Sequence, residues 1–399
     1  MNDSKMVAAL EIGTSKMQVF VGEIVDGESL SIIGMGQKPS AGVKKGDIVD
    51  LKKASQLAQE AILDAEKNTS IKTKSIYVSI SGSQIKGMRT MGYANVRSAN
   101  NIVTQEDVDR ACEDAKSKTL PENRAFIHFI CCGYYIDGVY CQDPVGKRAR
   151  RIDAEFWLVH DDCDAIANTV HIVRSFGMEV DDIVLSAIAS ARMVTSMQQR
   201  KEGVLVVDIG CGTTDYAMYT NSRIVIAGTI PVGGDHITND LAHGLRLYNK
   251  NAELLKCKIG KAVISEDEKS EFIWTKGDQQ IGDRKISLNS MNIIIRARLE
   301  ELFLILRDEL GEVFDSTIQS VVITGGTSRL TGINELAEGV LGVKCTTGKF
   351  NSWVKHSLCH PEFATSLGLL DYALENEIRN ASDSGEGLFS KIKGLWRNL

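Results

Sequence analysis

Three carboxylates and one ammonium stand where short apolar runs turn through glycine. Glu11 lies in Ala9-Leu10-Glu11-Ile12, ahead of the turn Gly13-Thr14-Ser15-Lys16, and the chain then continues into an alternating run over 17–23. Asp208 lies in Val206-Val207-Asp208-Ile209, ahead of Gly210-Cys211-Gly212-Thr213-Thr214-Asp215, with a further apolar run over 216–219. Each copy reads as strand, acid, glycine, a Thr-bearing turn and a second strand. Backbone N–H groups in a tight glycine turn form a concavity for anions, and threonine hydroxyls add donors. Gly13, Gly210 and Gly212 permit close approach that a side chain would block. Mg²⁺ takes oxygen ligands and keeps most of its waters, so Glu11 and Asp208 would suffice to hold it through water. Lys16 and Asp215 close the two turns, Lys16 as a partner for phosphate charge. Either copy alone reads as well as an ordinary β-hairpin. Together they imply an ATP-binding, two-lobed protein holding phosphates from both sides.

Other glycine steps would complete such a site. Residues 321–324 form a buried-type strand that breaks at Gly325-Gly326. Gly325, Gly326 and Ser328 are the candidates for contact with adenine and ribose, ahead of a helix predicted from an N-cap at Thr331 with Glu335 in its first turn. Gly233 and Gly234 precede another predicted helix, again with bare backbone. Glu253 and Lys256 lie three apart on one helical face, placed either to bond a ribose or purine edge or to form a surface ion pair.

These elements are interrupted over 85–162, where the chain reads as a small α+β unit of its own. A strand is expected at 90–97 and a helix at 104–117. Thr104 is the N-cap of that helix, and Asp107 lies near its orphan N–H groups. Strands follow at 125–136 and 152–160, with a turn at Asp143-Pro144-Val145-Gly146. The basic run 147–151 reads as a solvated loop or a partner surface.

The end of the chain is a different kind of signal. Residues 375–387 have linker composition. On a helix, Leu388, Phe389, Ile392, Leu395, Trp396 and Leu399 then fall on one face, with Lys391, Lys393 and Arg397 outside it. An apolar stripe with aromatic residues and flanking cations describes an interfacial membrane helix, as against a terminal helix docked on the protein's own core. Twelve residues are too few to stay helical in water, so the segment would fold on an anionic surface. Each cation would add roughly 1 kcal/mol there, and one copy would hold weakly unless assembly supplied avidity.

The 399 residues exceed one core and suit several subdomains. The net charge of −6 and the absence of a basic-aromatic motif give no nucleic-acid signature. The N-terminus has no basic-then-apolar leader pattern, and no apolar run reaches spanning length. Nine cysteines without a C-x-x-C pair read as reduced thiols. The cluster His356-Ser357-Leu358-Cys359-His360 reads as loop chemistry before Pro361 rather than a metal site.

The ordered set of motifs resembles the actin, Hsp70 and sugar-kinase superfamily and, within it, the bacterial FtsA cell-division family. The resemblance is carried by residues 10–16, Ser79-Ile80-Ser81-Gly82, residues 103–108, residues 143–146, residues 207–210, Thr324-Gly325-Gly326, residues 364–370 and the tail, and it covers essentially the whole chain. It implies a two-lobed α/β actin-like ATPase fold with duplicated ribonuclease-H-like cores, an inserted α+β subdomain and a C-terminal amphipathic helix. The implied divisions are 1–84 with 163–198 and 350–374 (first-lobe core), 85–162 (insertion), 199–234 with 302–349 (second-lobe core), 235–301 (smaller second-lobe subdomain), the linker and the tail helix. Implied ligands are ATP and Mg²⁺. Implied partners are the C-terminal peptide of FtsZ at 235–301 with Arg298, further copies in an actin-like polymer, other division proteins at the insertion, and the cytoplasmic face of the membrane. Asp182, read at a helix start, aligns with the residue that orients water for hydrolysis in actin. Cys211 departs from the family's usual glycine, and Glu11 stands where actins have Asp. Alternatives on the same fold are a small-molecule kinase, which would need a substrate-binding acid in the cleft, and a pilus-assembly scaffold, which typically lacks the tail helix.

Overall fold

The computed structural model describes residues 4–382, apart from positions 28, 68, 70, 71, 119, 265 and 276–281. The proposed membrane residues Leu388, Phe389, Lys391, Ile392, Lys393, Leu395, Trp396, Arg397 and Leu399 therefore lie outside the described residues.

The first lobe opens with a meander, β1 (Ser4–Ile12), β2 (Lys16–Val25) and β3 (Ser29–Pro39), then a small hairpin, β4 (Val43–Lys44) and β5 (Asp47–Ile48). Helix α1 (Leu51–Lys67) follows, then β6 (Ser75–Ile80). The insertion comprises β7 (Lys86–Asn95), α2 (Gln105–Lys116), β8 (Arg124–Ile136), β9 (Val139–Cys141) and β10 (Arg151–Asp162). The chain returns through α3 (Cys163–Arg174), β11 (Glu179–Leu185), α4 (Ser186–Val194) and α5 (Met197–Glu202). The second lobe repeats the meander as β12 (Val204–Ile209), β13 (Thr214–Thr220) and β14 (Arg223–Ile230). It continues with α6 (Gly234–Gly244), α7 (Asn249–Ile259), the hairpin β15 (Phe272–Thr275) and β16 (Arg284–Ser287), α8 (Leu288–Leu310), α9 (Glu312–Thr317), β17 (Ser320–Thr324), α10 (Ile333–Leu341) and β18 (Cys345–Thr347). Helix α11 (Ala364–Ser382) returns to the first lobe.

The two large sheets share one plan. Their orders are β11-β6-β1-β2-β3 and β14-β13-β12-β17-β18. In each, a three-strand antiparallel meander is extended by two parallel strands from its first member. Strand β12, between antiparallel β13 and parallel β17, is buried along its whole length, as a strand covered on both faces must be. Helix packing relies on small residues. Ala54, Ala58, Ala61 and Ala65 line α1, and a Cβ on Gly34 or Gly36 of β3 would run into the backbone at Ala65 or Ala61. The same device recurs where Gly92 of β7 meets Ala111 and Ala115 of α2.

Helices α4 and α11 cross between the lobes. A Cβ on Gly368 would strike the Ala189 carbonyl, so only glycine allows this approach. Arg192 on α4 pairs with Asp371 at 2.8 Å and with Glu375, both on α11. Residues 375–382 are thus helical, correcting the expected start of the linker: Glu375 and Glu377, read as linker acids, pair with Arg192 and Lys5.

The insertion has its own core around Val103, Val108, Ile152 and Leu158 and a sheet in the order β7-β10-β8-β9. Its helix α2 has the expected N-cap at Thr104, and the structure closes it as a capping box: Thr104 accepts from the Asp107 N–H, and the Asp107 carboxylate accepts from the Thr104 N–H at 2.9 Å. The short strand β9 was not anticipated. Helix α10 begins at Ile333 with Gly332 as N-cap; the helix expected from Thr331 starts later because residues 326–329 form a 3-10 turn first.

Candidate active site between the two turns

Register equates the two hairpins residue by residue. Gly13 N–H donates to the Lys16 carbonyl at 3.0 Å, and Gly210 N–H to the Thr213 carbonyl at 2.9 Å. Glu11 pairs across its hairpin with Gln18, and Asp208 with Asp215. Lys16 therefore corresponds to Thr213, and the counterpart of Asp215 is the buried Gln18, which sequence reasoning missed. The turns approach each other closely: a Cβ on Gly212 would lie 2.5 Å from Thr14 Oγ1 and 2.8 Å from Lys45 Cα. Thr14 Oγ1 itself accepts from Gly46 N–H at 3.0 Å, and Ser15 is exposed at the tip.

Two adjacent residues of α11 serve the two lobes. Thr365 Oγ1 donates to Asp208 Oδ2 at 2.9 Å, and Ser366 Oγ donates to Glu11 Oε2 at 2.5 Å. Asp215 accepts from Ser81 of the first lobe at 2.8 Å, from Thr229 of β14 at 2.6 Å, and from Thr213 at 3.3 Å. Burial raises the Glu11 carboxyl above its usual range against the pull of Lys16 and Ser366. Burial, then repulsion from Asp215 and Glu11, pushes Asp208 up to about 7. Burial pushes Asp215 up to about 6. Three crowded acids raised in this way are poised to accept a cation. Burial lowers Lys16 against the attraction of Glu11, Glu362 and Asp208, and its Nζ donates to the Glu362 carbonyl at 2.6 Å.

The donor set is all oxygen, which suits a hard divalent ion. Among the described residues no three acidic, histidine or cysteine side chains gather tightly enough to hold a metal directly.

The surrounding backbone is tied to the second turn. Gly234 N–H and Asp235 N–H donate to the carbonyls of Gly210 and Cys211, and a Cβ on Gly233 would lie 2.6 Å from the Cys211 carbonyl. Thr214 Oγ1 donates to the Val232 carbonyl at 2.8 Å. Gly325 has φ +85°, and a Cβ there would meet the Asp208 carboxylate, whereas Gly326 faces open space. The Ser328 hydroxyl donates to the Gly325 carbonyl at 2.7 Å, so it braces this turn. Lys256 pairs with Glu253 at 2.6 Å and, itself buried, donates to the Gly234 carbonyl at 3.0 Å. The pair thus braces the Gly233-Gly234 step and is not the surface ion pair that spacing also allowed.

Other candidates stand apart. Asp182 lies inside β11, not at a helix start, and its carboxylate accepts from Tyr372 on α11 at 3.0 Å; the following helix opens at Ser186. Asp181 and Asp182, read as a helix start, lie instead where β11 shifts its register against β6. Arg298 on α8 holds Asp240 with both Nε and a terminal nitrogen and also bonds Glu301. Cys211 Sγ donates to Asp235 Oδ1 at 3.0 Å.

Comparison with known proteins decides the family. The family model "Cell division protein FtsA" matches residues 205–368, and that for the "SHS2 domain inserted in FTSA" matches 82–160. The chain is 31% identical to cell division protein FtsA of Neisseria meningitidis serogroup B, over 98% of this chain and 97% of that protein. The chain belongs to the FtsA family. FtsA of Pseudomonas aeruginosa is 32% identical over 96% of this chain and 93% of its own length. Among solved structures, a PilM–PilN type IV pilus biogenesis complex gives a TM-score of 0.66 at 17% identity, covering 92% of this chain and 98% of that one. MreB5 of Spiroplasma citri bound to ADP gives 0.55 at 16% identity, covering 96% and 99%. These likenesses establish the actin-like α/β fold, and the FtsA relatives make this a cell-division protein. Among the described residues no helix is long and apolar enough to cross a membrane.

Proposed function

We propose that this FtsA-family chain binds MgATP between its two turns, polymerises, and tethers the FtsZ ring to the cytoplasmic face of the membrane at the division site. The observation that carries the reading is the convergence of Glu11, Asp208 and Asp215, from both lobes, beside Lys16 and the open Gly326 step. Glu11 and Asp208 hold the ion through water, Lys16 and the turn N–H groups of Thr14, Ser15, Gly212 and Thr213 take phosphate charge, and Gly325 and Gly326 accept the nucleoside. Mg²⁺ there supplies the positive charge that three raised carboxyls and a polyphosphate otherwise lack. Ser81 and Thr365 set the carboxylates, so closure of the lobes and nucleotide occupancy are linked.

Residues 388–399 are the membrane segment, and polymerisation multiplies their weak individual attachment. The FtsZ C-terminal peptide docks on 235–301, where Arg298 must exchange Asp240 and Glu301 for the peptide. The insertion receives other division proteins. Co-sedimentation with anionic liposomes, with and without MgATP, tests this with full-length protein and a 1–387 truncation. ATP-enhanced pelleting that the truncation abolishes is the expected result. Equal pelleting of the truncation would overturn the tether.

A further inference from the structure

The insertion leaves the first lobe by chain connection, yet it is also fastened to the second. Strand β14 is the edge of the second-lobe sheet, and exposed edges invite pairing unless covered. Here β7, β8 and β10 of the insertion all lie against it. Trp157 of β10 reaches across: its Nε1–H donates to the Ala227 carbonyl at 2.8 Å, and its ring packs against the cores of both lobes. The space for that indole is reserved, because any Cβ on Gly87 of the neighbouring strand would collide with it. At the start of β14, Arg223 donates to the Gln142 carbonyl at 3.2 Å and lies over the Tyr134 ring.

Two residues beyond Ala227 on the same strand, Thr229 bonds Asp215 at 2.6 Å. A second fastening faces the first lobe. Leu185 N–H, at the end of edge strand β11, donates to Nε2 of the half-buried His128 on β8 at 2.9 Å. Leu185 is the N-cap of α4, and the Ser190 hydroxyl of that helix, which bonds the Ala187 carbonyl, favours the charged form of Asp208. Burial holds His128 well below its usual range, at about 4, so its ring stays neutral and able to accept.

We infer that Trp157 and His128 are positioning residues, through which the insertion straps both lobes and sets Asp215 and Asp208 for the ligand. Each acts through one bonded neighbour segment: Trp157 through Ala227 and Thr229, His128 through Leu185 and α4. A partner that loads the insertion would pull on both carboxylates at once, and ligand between the turns would stiffen the strap in return, since coupling of binding is reciprocal. This inference rests on the nucleotide reading for the ligand but not for the strap.

Hydrogen-exchange mass spectrometry on the full-length protein tests it, with Trp157→Phe keeping an aromatic ring while removing the N–H. In ligand-free protein the variant is expected to lose protection over 214–230 but not over 320–347, with cooperative unfolding retained. Unchanged exchange over 214–230 would overturn the strap. In wild type, MgATP is expected to slow exchange at 128–134 and 156–158 as well as at the turns. In Trp157→Phe that remote protection should vanish while affinity falls roughly fivefold, the loss of about one hydrogen bond. Protection at the turns without any at the insertion would overturn the coupling. If wild type does not bind MgATP at all, the nucleotide reading fails, and the ligand-free exchange still decides the strap.

Discussion

The two turns have the same backbone and different chemistry. Both close with a glycine N–H to a carbonyl three residues on, and both place an acid across from a polar partner in register. In the first hairpin the partner is the neutral Gln18, which shares Ser366 with Glu11. In the second it is Asp215, with three hydroxyls from three elements around it. A duplicated hairpin has thus become one half bearing a lysine and a single acid and one half bearing two acids. The difference teaches how a symmetric scaffold makes an asymmetric site: in the proposed reading phosphate charge is drawn toward Lys16, and the ion sits between Glu11 and Asp208 with Asp215 adding negative charge on the second-lobe side.

Breaking the contact between the halves should have the largest effect. Gly212→Ala puts a methyl where Thr14 and Lys45 lie, and displacement of reacting or binding groups by about 1 Å can cost ~100-fold. We expect Gly212→Ala to weaken MgATP binding by about that factor in equilibrium titration with a fluorescent analogue. Gly210→Ala meets only the Thr213 carbonyl at 3.2 Å and should remain within about tenfold of wild type on the same reasoning. Equal losses would mean that the facing of the turns is immaterial.

Removing an acid sharpens the asymmetry. Asp215→Ala strands the Thr229 hydroxyl, while Ser81 and Thr213 keep only each other at 2.9 Å, and a buried group left unpaired costs about 1–3 kcal/mol. It should lower affinity by about 10–100-fold, the usual scale for outer-shell metal partners, while Gln18→Ala should cost less than about fivefold. Calorimetric titration of both variants with MgATP compares them. A larger loss from Gln18 would reverse the assignment of cation and phosphate sides.

The same asymmetry has a pH signature. Asp208 and Asp215 titrate in the folded protein at about 7 and about 6, above the ordinary 3.8. The folded state therefore holds more protons than the unfolded chain over that interval. The stability these groups contribute is complete below pH about 4 and is lost as pH rises through about 6 and 7. Ligand-free wild type should lose more melting temperature between pH 5 and pH 8 than Asp208→Asn/Asp215→Asn does. Mg²⁺ should recover more of it at pH 8, where its carboxylate partners are already deprotonated. Parallel melting curves for wild type and variant would remove the two acids from the balance.

What the sequence made legible follows from how local each signal is. The hairpins announce themselves within a dozen residues, because strand, acid, glycine and threonine are contiguous, and the Thr104–Asp107 box is complete within four. The hydroxyls that set the acids are not legible that way. Ser81, Thr229, Thr365 and Ser366 come from three separate places, the turn after β6, strand β14 and helix α11, and only the fold brings them to the site; Ser81 and the pair on α11 did fall within stretches that carried the family resemblance. Register likewise lay beyond reach, so Lys16 and Asp215 looked equivalent when Gln18 and Asp215 are. Asp181-Asp182 imitated a helix cap because acids ahead of an apolar run match capping preference, whereas strands disfavour them and here they sit at a register shift of β11 against β6. The acids at 375–382 imitated a linker because composition does not register their pairing with Arg192 and other distant partners.

Cys211 offers the smallest and most discriminating change. It stands at the position of Thr14 in the first turn, yet the two side chains face different tasks. Thr14 accepts from Gly46 within its own lobe, whereas the Cys211 thiol donates to Asp235 at the start of α6. Burial, and then its bond to Asp235, raise the thiol well above its ordinary range, so it stays protonated and takes no part as a thiolate. Its carbonyl, which accepts from Asp235 N–H at 2.8 Å, is what ties the turn to the helix, and any residue supplies that carbonyl. Cys211→Gly should therefore leave MgATP affinity within about twofold. It should cost about 0.5–1.5 kcal/mol in urea unfolding, through one lost hydrogen bond and a freer backbone. A tenfold change in affinity with unchanged stability would instead make the thiol a ligand contact and give the second turn a specificity that the first lacks.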